Sequence, residues 1–244
     1  MEIMRKLLNA KNGAVAIVEY DAYAESPRES GQELFNFYTF ESRYDSPDKH
    51  FYKGLRECVA DLVGEVFEER MYNKNNSGTA YMADIVAKMD KFGYVALPVW
   101  KYEHSVTVYK ASMYNPFHCP WDSGMVGIIF GEKKKICDMY GWKKITKARR
   151  AIVHEYMKSD ADVWTMYSNG EVFRVGVRAA GEEDDDAEFV DNIFADMYDN
   201  EVLTPYVNDY FGNTTNDWVD HTDELEEEFL QYGKINLMVD KVSN

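Results

Sequence analysis

The charge of this chain changes abruptly at residue 180. Residues 1–180 hold 24 acidic and 25 basic side chains, whereas residues 181–244 hold 19 acidic and two basic ones. No Lys or Arg occurs between Arg178 and Lys234. The formal net charge of −16 therefore belongs to the C-terminal quarter of the chain. Any fold of this sequence has to gather that charge into a localised acidic surface.

The acidic quarter has the composition of a folded segment, because apolar and aromatic residues are interleaved with its carboxylates. Within residues 189–198 the apolar positions fall at i, i+1, i+4, i+5, i+8 and i+9, which predicts an amphipathic helix. A further helix is predicted to begin at Thr222, its N-cap, and a short strand is predicted at 235–239. We expect a near-neutral body over 1–180 and an acidic helical part over 181–244, packed on the same domain.

The rest of the chain mixes strand and helix patterns. Residues 14–20 and 34–40 predict strands, and residues 54–72 predict one long amphipathic helix. The runs 163–167 and 171–177, separated by Asn169-Gly170, predict a β-hairpin. These patterns indicate an α+β fold with a central, mostly antiparallel sheet, flanking helices and an acidic helical C-terminal part.

Several classes of protein are disfavoured by what the sequence lacks. Its three cysteines include no CxxC pair, so we expect neither a disulfide framework nor a structural zinc site. No signal-peptide pattern and no apolar run of about 20 residues occurs, so we expect a cytoplasmic protein that has no membrane partner. The acidic balance disfavours direct binding to a nucleic-acid groove. The sequence has no glycine-rich phosphate-binding loop, and we predict no cofactor.

One loop concentrates reactive side chains between two predicted strands. Cys119 is a candidate nucleophile, with His104 or His118 as its base and Asp122 as the orienting carboxylate. The alternative is structural: Cys119 is a small buried side chain, Trp121 fills the core, and Asp122-Ser123-Gly124 forms a turn. The other members of this motif loop are His118, Pro120, Trp121, Ser123 and Gly124.

Two further clusters have a functional and a structural interpretation. The side chains of His104, His118, Cys119 and Asp122, with Glu19 or Asp21, could ligate an ion. Their spacing matches no known ligand pattern, and we predict no metal site. The basic residues Lys133, Lys134, Lys135, Lys143, Lys144, Lys147, Arg149 and Arg150 could bind phosphates. We favour a solvated helix face that balances the acidic quarter, within the chain or across a homodimer.

Three segments of the sequence carry a family resemblance. They are Glu25-Ser-Pro-Arg-Glu29, Tyr94-Val-Ala-Leu-Pro-Val-Trp-Lys-Tyr-Glu-His-Ser105 and Phe117-His-Cys-Pro-Trp-Asp-Ser-Gly-Met-Val-Gly127. Over residues 14–215 the chain resembles a family of small acidic proteins encoded mainly by bacteriophages and bacterial mobile elements. It departs from that pattern at Val106, where the family usually has Gly. The resemblance implies a setting in the bacterial cell and no particular reaction.

These observations favour a binding protein. A folded acidic surface can replace nucleic-acid phosphates and occupy the basic groove of a host defence nuclease or restriction factor. The candidate contacts are Glu182, Glu183, Asp184, Asp185, Asp186, Asp191, Asp196, Asp199, Asp223, Glu226 and Glu227. Two alternatives stay open: a cysteine-dependent hydrolase or transferase that uses the motif loop, and a structural or dimerisation module.

Overall fold

The computed structural model describes residues 3–29, 33–75, 77–183, 186–210 and 217–222. In this part of the chain the α+β prediction is confirmed, and the strands form two antiparallel sheets. The elements are β1 (Ile3–Asn9), β2 (Val15–Tyr20), β3 (Asn36–Thr39), α1 (Leu55–Val63), α2 (Glu65–Lys74), α3 (Gly78–Lys91), β4 (Tyr94–Glu103), β5 (Thr107–Ala111), β6 (Ser123–Glu132), α4 (Lys133–Tyr140), α5 (Lys147–Ser168), β7 (Phe173–Arg178), β8 (Glu188–Ile193), α6 (Asn200–Tyr210) and β9 (Trp218–Asp220).

The chain divides into two units. Unit 1 comprises Met1–Glu25 and Gly170–Asn244, and unit 2 comprises Ser26–Asn169. This division follows strand pairing, because β1 and β2 share a sheet with β7, β8 and β9. The predicted division at residue 180 follows charge instead. By sequence, unit 1 holds 24 acidic and seven basic side chains, and unit 2 holds 19 and 20.

Unit 1 is built on a five-stranded sheet in the order β8-β7-β2-β1-β9. The central strand β2 is buried along five of its six residues, which explains the apolar run Val15-Ala-Ile-Val18 and requires the fifth, Glu19, to be paired. Two ion pairs cross between neighbouring strands, one from Arg174 to the buried Glu19 and the other from Arg5 to Asp220. Leu203 and Val207 bury one side of α6.

Unit 2 is built on a four-stranded sheet in the order β3-β6-β4-β5, with helices over both faces. Val95, Leu97 and Val99 point to one face of β4, where they join a core with α4 and α5. Ala96 points to the other face, where the core is formed with α1, α2 and α3. The alternation of side chains along a strand thus separates two apolar cores with one sheet between them.

The sheet of unit 2 contains a proline at an interior position of β4. The carbonyl of Pro98 accepts a hydrogen bond from the amide of Ser112, at 3.0 Å. Proline has no N–H with which to return this bond. The indole N–H of Trp100 donates to the carbonyl of Ser112 instead, at 2.8 Å. In the second family-like segment, Trp100 therefore supplies the hydrogen-bond donor that Pro98 lacks.

The predicted hairpin around Asn169-Gly170 is wrong, because α5 continues through residues 163–167 to Ser168. Val153, Met157, Ala161 and Trp164 lie three or four residues apart and bury one helix face, which outweighs the strand propensity of this segment. The Asn169 side chain then binds the backbone of Thr165 and Thr107. Gly170, with φ of 71°, ends the helix, so the Asn-Gly pair is a helix terminus.

The predicted helix over 189–198 is also wrong, because residues 188–193 form strand β8 against β7. The apolar spacing fits a strand once Asn192, with φ of 58°, shifts the register before Ile193. Phe189 packs against the bare backbone of Gly176 and under the guanidinium of Arg174. Pairing to a neighbouring strand therefore decided the conformation of this segment.

The structure differs from the sequence-based expectations at a few other elements. The helix predicted over 54–72 is broken at Gly64, with φ of 92°, into α1 and α2. Strands β1 and β9 had no clear pattern in the sequence and were not expected. The helix predicted to begin at Thr222 and the strand at 235–239 lie outside the described residues. None of the described helices combines the length and apolar character needed to cross a membrane.

Candidate functional site

The motif loop joins β5 to β6 and is fixed by its own hydrogen bonds. The hydroxyl of Ser123 donates to the carbonyl of Cys119 and accepts from the Asn115 amide, at 3.0 Å. The carbonyl of Asp122 accepts from the backbone N–H of Glu103, at 2.9 Å. Asp122 therefore joins the loop to the end of β4, and Ser123, the first residue of β6, binds the loop residues Asn115 and Cys119. This is the turn-forming role that the structural interpretation assigns to them.

The candidate catalytic residues are only partly brought together. The Cys119 thiol lies 3.0 Å from Oδ2 of Asp122 and donates a hydrogen bond to it. Within the described residues, no hydrogen bond joins this thiol to the imidazole of His104 or His118. A carboxylate next to sulfur opposes formation of the thiolate, whereas a basic imidazole would favour it. The described hydrogen bonds therefore join Cys119 to Asp122 and to neither candidate imidazole.

The outer face of the motif loop is aromatic and exposed. Trp121 is 92% exposed, so the structural interpretation was wrong to place it in the core. His118, Pro120 and Gly124 also face solvent. Beside them a shallow cavity of about 420 Å³ is lined by Tyr102, Pro116, Phe117, His118 and Cys119. Such a surface can contact another molecule without reacting with it.

The residues considered for a metal site already have other partners. Glu19 is paired with Arg174, and Asp21 accepts hydrogen bonds from the backbone N–H groups of Tyr23 and Asn192. Within the described parts of the chain, no group of three or more His, Cys, Asp or Glu side chains could hold a metal ion.

Six of the candidate partner-binding carboxylates are described, and all of them are exposed. We call them the acidic surface: Glu182, Glu183, Asp186, Asp191, Asp196 and Asp199. Among the described residues none of these six forms an ion pair, whereas Arg5, Lys11 and Arg174 of the same unit are paired with other carboxylates. The remaining candidates, Asp184, Asp185, Asp223, Glu226 and Glu227, lie outside the described residues.

The connection between β7 and β8 is held in a defined turn by its own acids. The backbone N–H of Ala179 donates to Oε2 of Glu182, at 2.8 Å. The backbone N–H of Glu183 donates to Oδ2 of Asp186, at 3.0 Å. Asp199 accepts from the backbone N–H of Glu201 at the start of α6. Each of these three carboxylates accepts a backbone hydrogen bond and belongs to an exposed residue.

The basic cluster at 133–150 is partly neutralised inside unit 2. Lys133 and Arg150 both contact Asp90, and Lys135 pairs with Glu132. Burial alone would raise the pKa of Asp90, but the hydrogen bonds from Lys133 and Arg150 outweigh it and lower that pKa. The guanidinium of Arg149 lies 5.0 Å from the centre of the Trp142 ring. These contacts agree with a structural role for part of the cluster.

The first family-like segment contains Arg28, whose side chain is buried and holds several parts of unit 2 together. The Arg28 guanidinium binds both carboxylate oxygens of Asp48, at 2.9 and 2.7 Å, and Oδ2 of Asp160, at 2.9 Å. Burial raises the pKa of Asp160 despite this contact. Asp48 also accepts the backbone N–H of Phe37 in β3. Arg28 therefore ties the chain before β3 to α5 within unit 2.

Arg28 lines a polar cleft of about 1080 Å³ that the sequence analysis missed. A second buried cation, Lys101, lies in the same unit and contacts Oε1 of Glu41 and Oε2 of Glu103, at 2.7 and 2.6 Å. The cleft walls come from residues 26–29, residues 33–53 and the end of α5, so no local spacing marks them. The one available signal was Lys101 itself, a charged residue inside an apolar strand pattern.

The motif loop, the acidic surface and the polar cleft are thus the three candidate sites. The first two were predicted from sequence and the third was not. Comparison of the chain with protein-family models, with curated proteins and with solved structures finds no match.

Proposed function

We propose that this protein is an accessory binding protein of the phage or mobile-element type. Its partner is a basic nucleic-acid-binding protein of the host, such as a defence nuclease or a restriction factor. The acidic surface occupies the groove where that partner binds phosphates. The observation that carries the proposal is the charge of unit 1, with 24 acidic against seven basic side chains and six exposed carboxylates outside any described ion pair.

The local structure of unit 1 supports this function through preorganisation. Hydrogen bonds to the backbone hold the carboxylates of Glu182, Asp186 and Asp199, so these side chains lose little conformational entropy on binding. The excess negative charge of unit 1 also raises the rate of encounter with a positively charged partner. The resemblance to phage and mobile-element proteins supports a host protein as that partner.

The two alternatives have weaker support. A cysteine-dependent hydrolase or transferase needs a base at Cys119, and the thiol donates to Asp122 instead. A dimerisation module would pair the acidic surface with the basic cluster, in which Lys133 and Arg150 are already engaged by Asp90. The motif loop, with the exposed Trp121, remains available as a second contact of a binding protein.

The test is displacement of DNA. A panel of purified restriction and defence nucleases is mixed with fluorescent duplex DNA, and anisotropy follows its release as the protein is added. We expect release from at least one nuclease at about 50 mM salt and weaker release at about 300 mM, because salt screens exposed charges. The variant Glu182→Gln, Glu183→Gln, Asp186→Asn and Asp191→Asn should need at least about tenfold more protein.

A matched variant separates this site from total charge. Glu65→Gln, Glu69→Gln, Asp138→Asn and Glu155→Gln change the net charge equally at exposed positions of unit 2. We expect that variant to release DNA as the unmodified protein does. Equal loss in both variants would show that only total charge matters. No release from any nuclease, or no loss in the first variant, would contradict the proposal.

A further inference from the structure

Part of the basic cluster in unit 2 has no carboxylate to neutralise it. Four cations around the start of α5 form no ion pair with any described residue, and all of them are exposed or half-buried. We call them the basic surface: Lys143, Lys144, Lys147 and Arg149. No Asp or Glu occurs between Asp138 and Glu155, although the chain has 43 acidic residues. This face of unit 2 is therefore positively charged.

An aromatic stack adjoins the basic surface. The ring of Tyr140 stacks on Trp142, with centroids 4.8 Å apart and an interplanar angle of 24°. It also stacks on Tyr156, at 5.7 Å and 2°. The guanidinium of Arg149 lies 5.0 Å from the centre of the Trp142 ring and donates to the carbonyl of Lys144, at 2.9 Å. The aromatic stack of Tyr156, Tyr140 and Trp142 is therefore continuous with the basic surface.

The aromatic stack is both fixed in position and partly open to solvent. Gly141, with φ of 63°, ends α4, and the backbone N–H of Trp142 donates to the carbonyl of Cys137, at 2.8 Å. Tyr140 is 37% exposed and Tyr156 is 41% exposed. A ligand can therefore contact these rings without first ordering them, which lowers the entropic cost of binding.

The position of the basic surface is costly for the helix that carries part of it. The N-terminus of a helix has partial positive charge, so nearby cations destabilise the helix. The first turn of α5 contains Lys147 and Arg149 and no acidic residue. Sequences depart from such local preferences mainly at functional sites. An anionic partner would remove this repulsion.

Cations beside exposed aromatic rings fit the two chemical parts of a single-stranded nucleic acid. Lys and Arg bind its phosphates, and aromatic rings stack on unpaired bases of any sequence. We propose that the basic surface and the aromatic stack together bind single-stranded nucleic acid. A duplex fits less well, because its bases are stacked on one another and do not reach the rings. An acidic protein would contact the cations and leave the rings unused.

The test compares three fluorescent probes on the full chain by anisotropy. The salt is about 100 mM NaCl, which screens charges more than about 10 Å apart. The probes are a mixed-sequence DNA strand of about 12 nucleotides, an abasic strand with as many phosphates, and a duplex of the same length. We expect saturable binding of the mixed strand. The abasic strand and the duplex should bind at least about fivefold more weakly, because neither can stack bases on the rings.

Charge variants test the contribution of the phosphates. Lys143→Gln combined with Lys144→Gln should weaken binding of the mixed and abasic strands alike, by at least about tenfold. The slope of log affinity against log salt should fall by about 1.4, because each phosphate contact with a single strand contributes about 0.7. The control is Lys49→Gln with Lys53→Gln, which changes the net charge equally at exposed positions of unit 2 and should leave affinity and slope unchanged.

A ring variant tests the contribution of the bases. Tyr140→Leu should weaken binding of the mixed strand at least about fivefold and leave binding of the abasic strand and the salt slope unchanged. A merely structural role of Tyr140 would affect both strands equally. Tyr156→Leu serves as the test if the Tyr140 variant does not fold.

DNA and RNA single strands share this chemistry. An RNA strand of the same sequence distinguishes them, since tighter binding of RNA indicates contacts with the 2′-hydroxyl groups. Either order of affinity supports the proposal. Equal binding of the abasic strand or of the duplex, or an equal loss in the control variant, would overturn it.

The competing partner is an acidic protein surface, including that of a second copy of this chain. Self-association that Lys143→Gln with Lys144→Gln abolishes, without binding of any strand, would assign the basic surface to that role and refute the proposal. The four-residue variant of the acidic surface should bind the mixed strand at least as tightly as the unmodified protein does. The two proposals therefore fail separately.

Discussion

At the scale of single residues, buried charges in unit 2 persist because each has several hydrogen bonds. Glu68 is 4% exposed and binds Arg56 at 2.7 and 3.0 Å and the Tyr81 hydroxyl at 2.7 Å. Burial alone would raise the pKa of Glu68, but these bonds outweigh it and lower that pKa. The carboxylate therefore joins α1, α2 and α3 in its ionised form, and losing the charge weakens all three contacts.

We expect Glu68→Gln to lower the free energy of unfolding by about 1.5–3 kcal/mol at neutral pH, the range for hydrogen bonds to charged groups. Because the pKa in the folded chain lies below the unfolded value of about 4.3, the stabilisation is complete above that value. It is lost as the pH falls through the folded pKa. Urea denaturation of both proteins between about pH 3 and 7 measures the difference.

The control is Glu69→Gln, the exposed neighbour in α2, which should change stability by less than about 0.5 kcal/mol. A Glu68→Gln difference that stays constant down to about pH 3 would show that shape, and not charge, is what Glu68 contributes.

At the scale of elements, close backbone approach explains one glycine of the third family-like segment. Gly127 of β6 pairs with Thr39 of β3, and a Cβ there would lie 2.0 Å from the carbonyl oxygen of Tyr38. Gly124, at the start of the same strand, would place a Cβ with nothing within 4 Å. A larger residue would therefore clash with backbone at position 127 but would fit at position 124.

We expect Gly127→Ala to destabilise unit 2 by at least about 2 kcal/mol, since the contact is with backbone that cannot move without unpairing β3. Hydrogen exchange should show lost protection at the backbone N–H of Phe40, which bonds the carbonyl of Val126. Gly124→Ala should change stability by less than about 0.5 kcal/mol. Equal effects of the two substitutions would contradict this view of β3–β6 pairing.

At the scale of the whole molecule, charge is divided between the two units. Unit 1 carries 17 more acidic than basic side chains, and unit 2 carries one more basic than acidic. Repulsion among like charges opposes folding of unit 1, and salt screens it over about 10 Å at 0.1 M. The stability of the two units should therefore respond differently to salt.

We expect protection from hydrogen exchange in β2 and β7 to rise between about 20 and 300 mM NaCl at neutral pH, while that in β4 and β6 stays nearly constant. Mass spectrometry of peptides from each unit measures both in one sample. Sodium chloride is the suitable salt, because sulfate would stabilise both units by favouring the burial of apolar surface. A parallel rise in β4 and β6 would refute a charge-specific origin.

The sequence by itself determined the α+β class, the acidic surface and much of unit 2. Strand β2, strand β4 and helix α3 were predictable because each has one strong periodic pattern, which depends only on neighbouring residues. The charge break at residue 180 and the loop around Cys119 were equally visible, since composition and motifs are local properties. The sequence did not show which of the loop side chains contact one another.

Tertiary structure decided what depends on distant residues. The apolar residues of 189–198 fit a helix or a strand, and the edge of β7 selected the strand. Residues 163–167 have strand propensity, and burial of Val153, Met157, Ala161 and Trp164 kept them in α5. The polar cleft joins Glu41, His50 and Trp164, whose separations along the chain no periodicity relates. Only the folded chain places these three residues around one cleft, because long-range packing sets their positions.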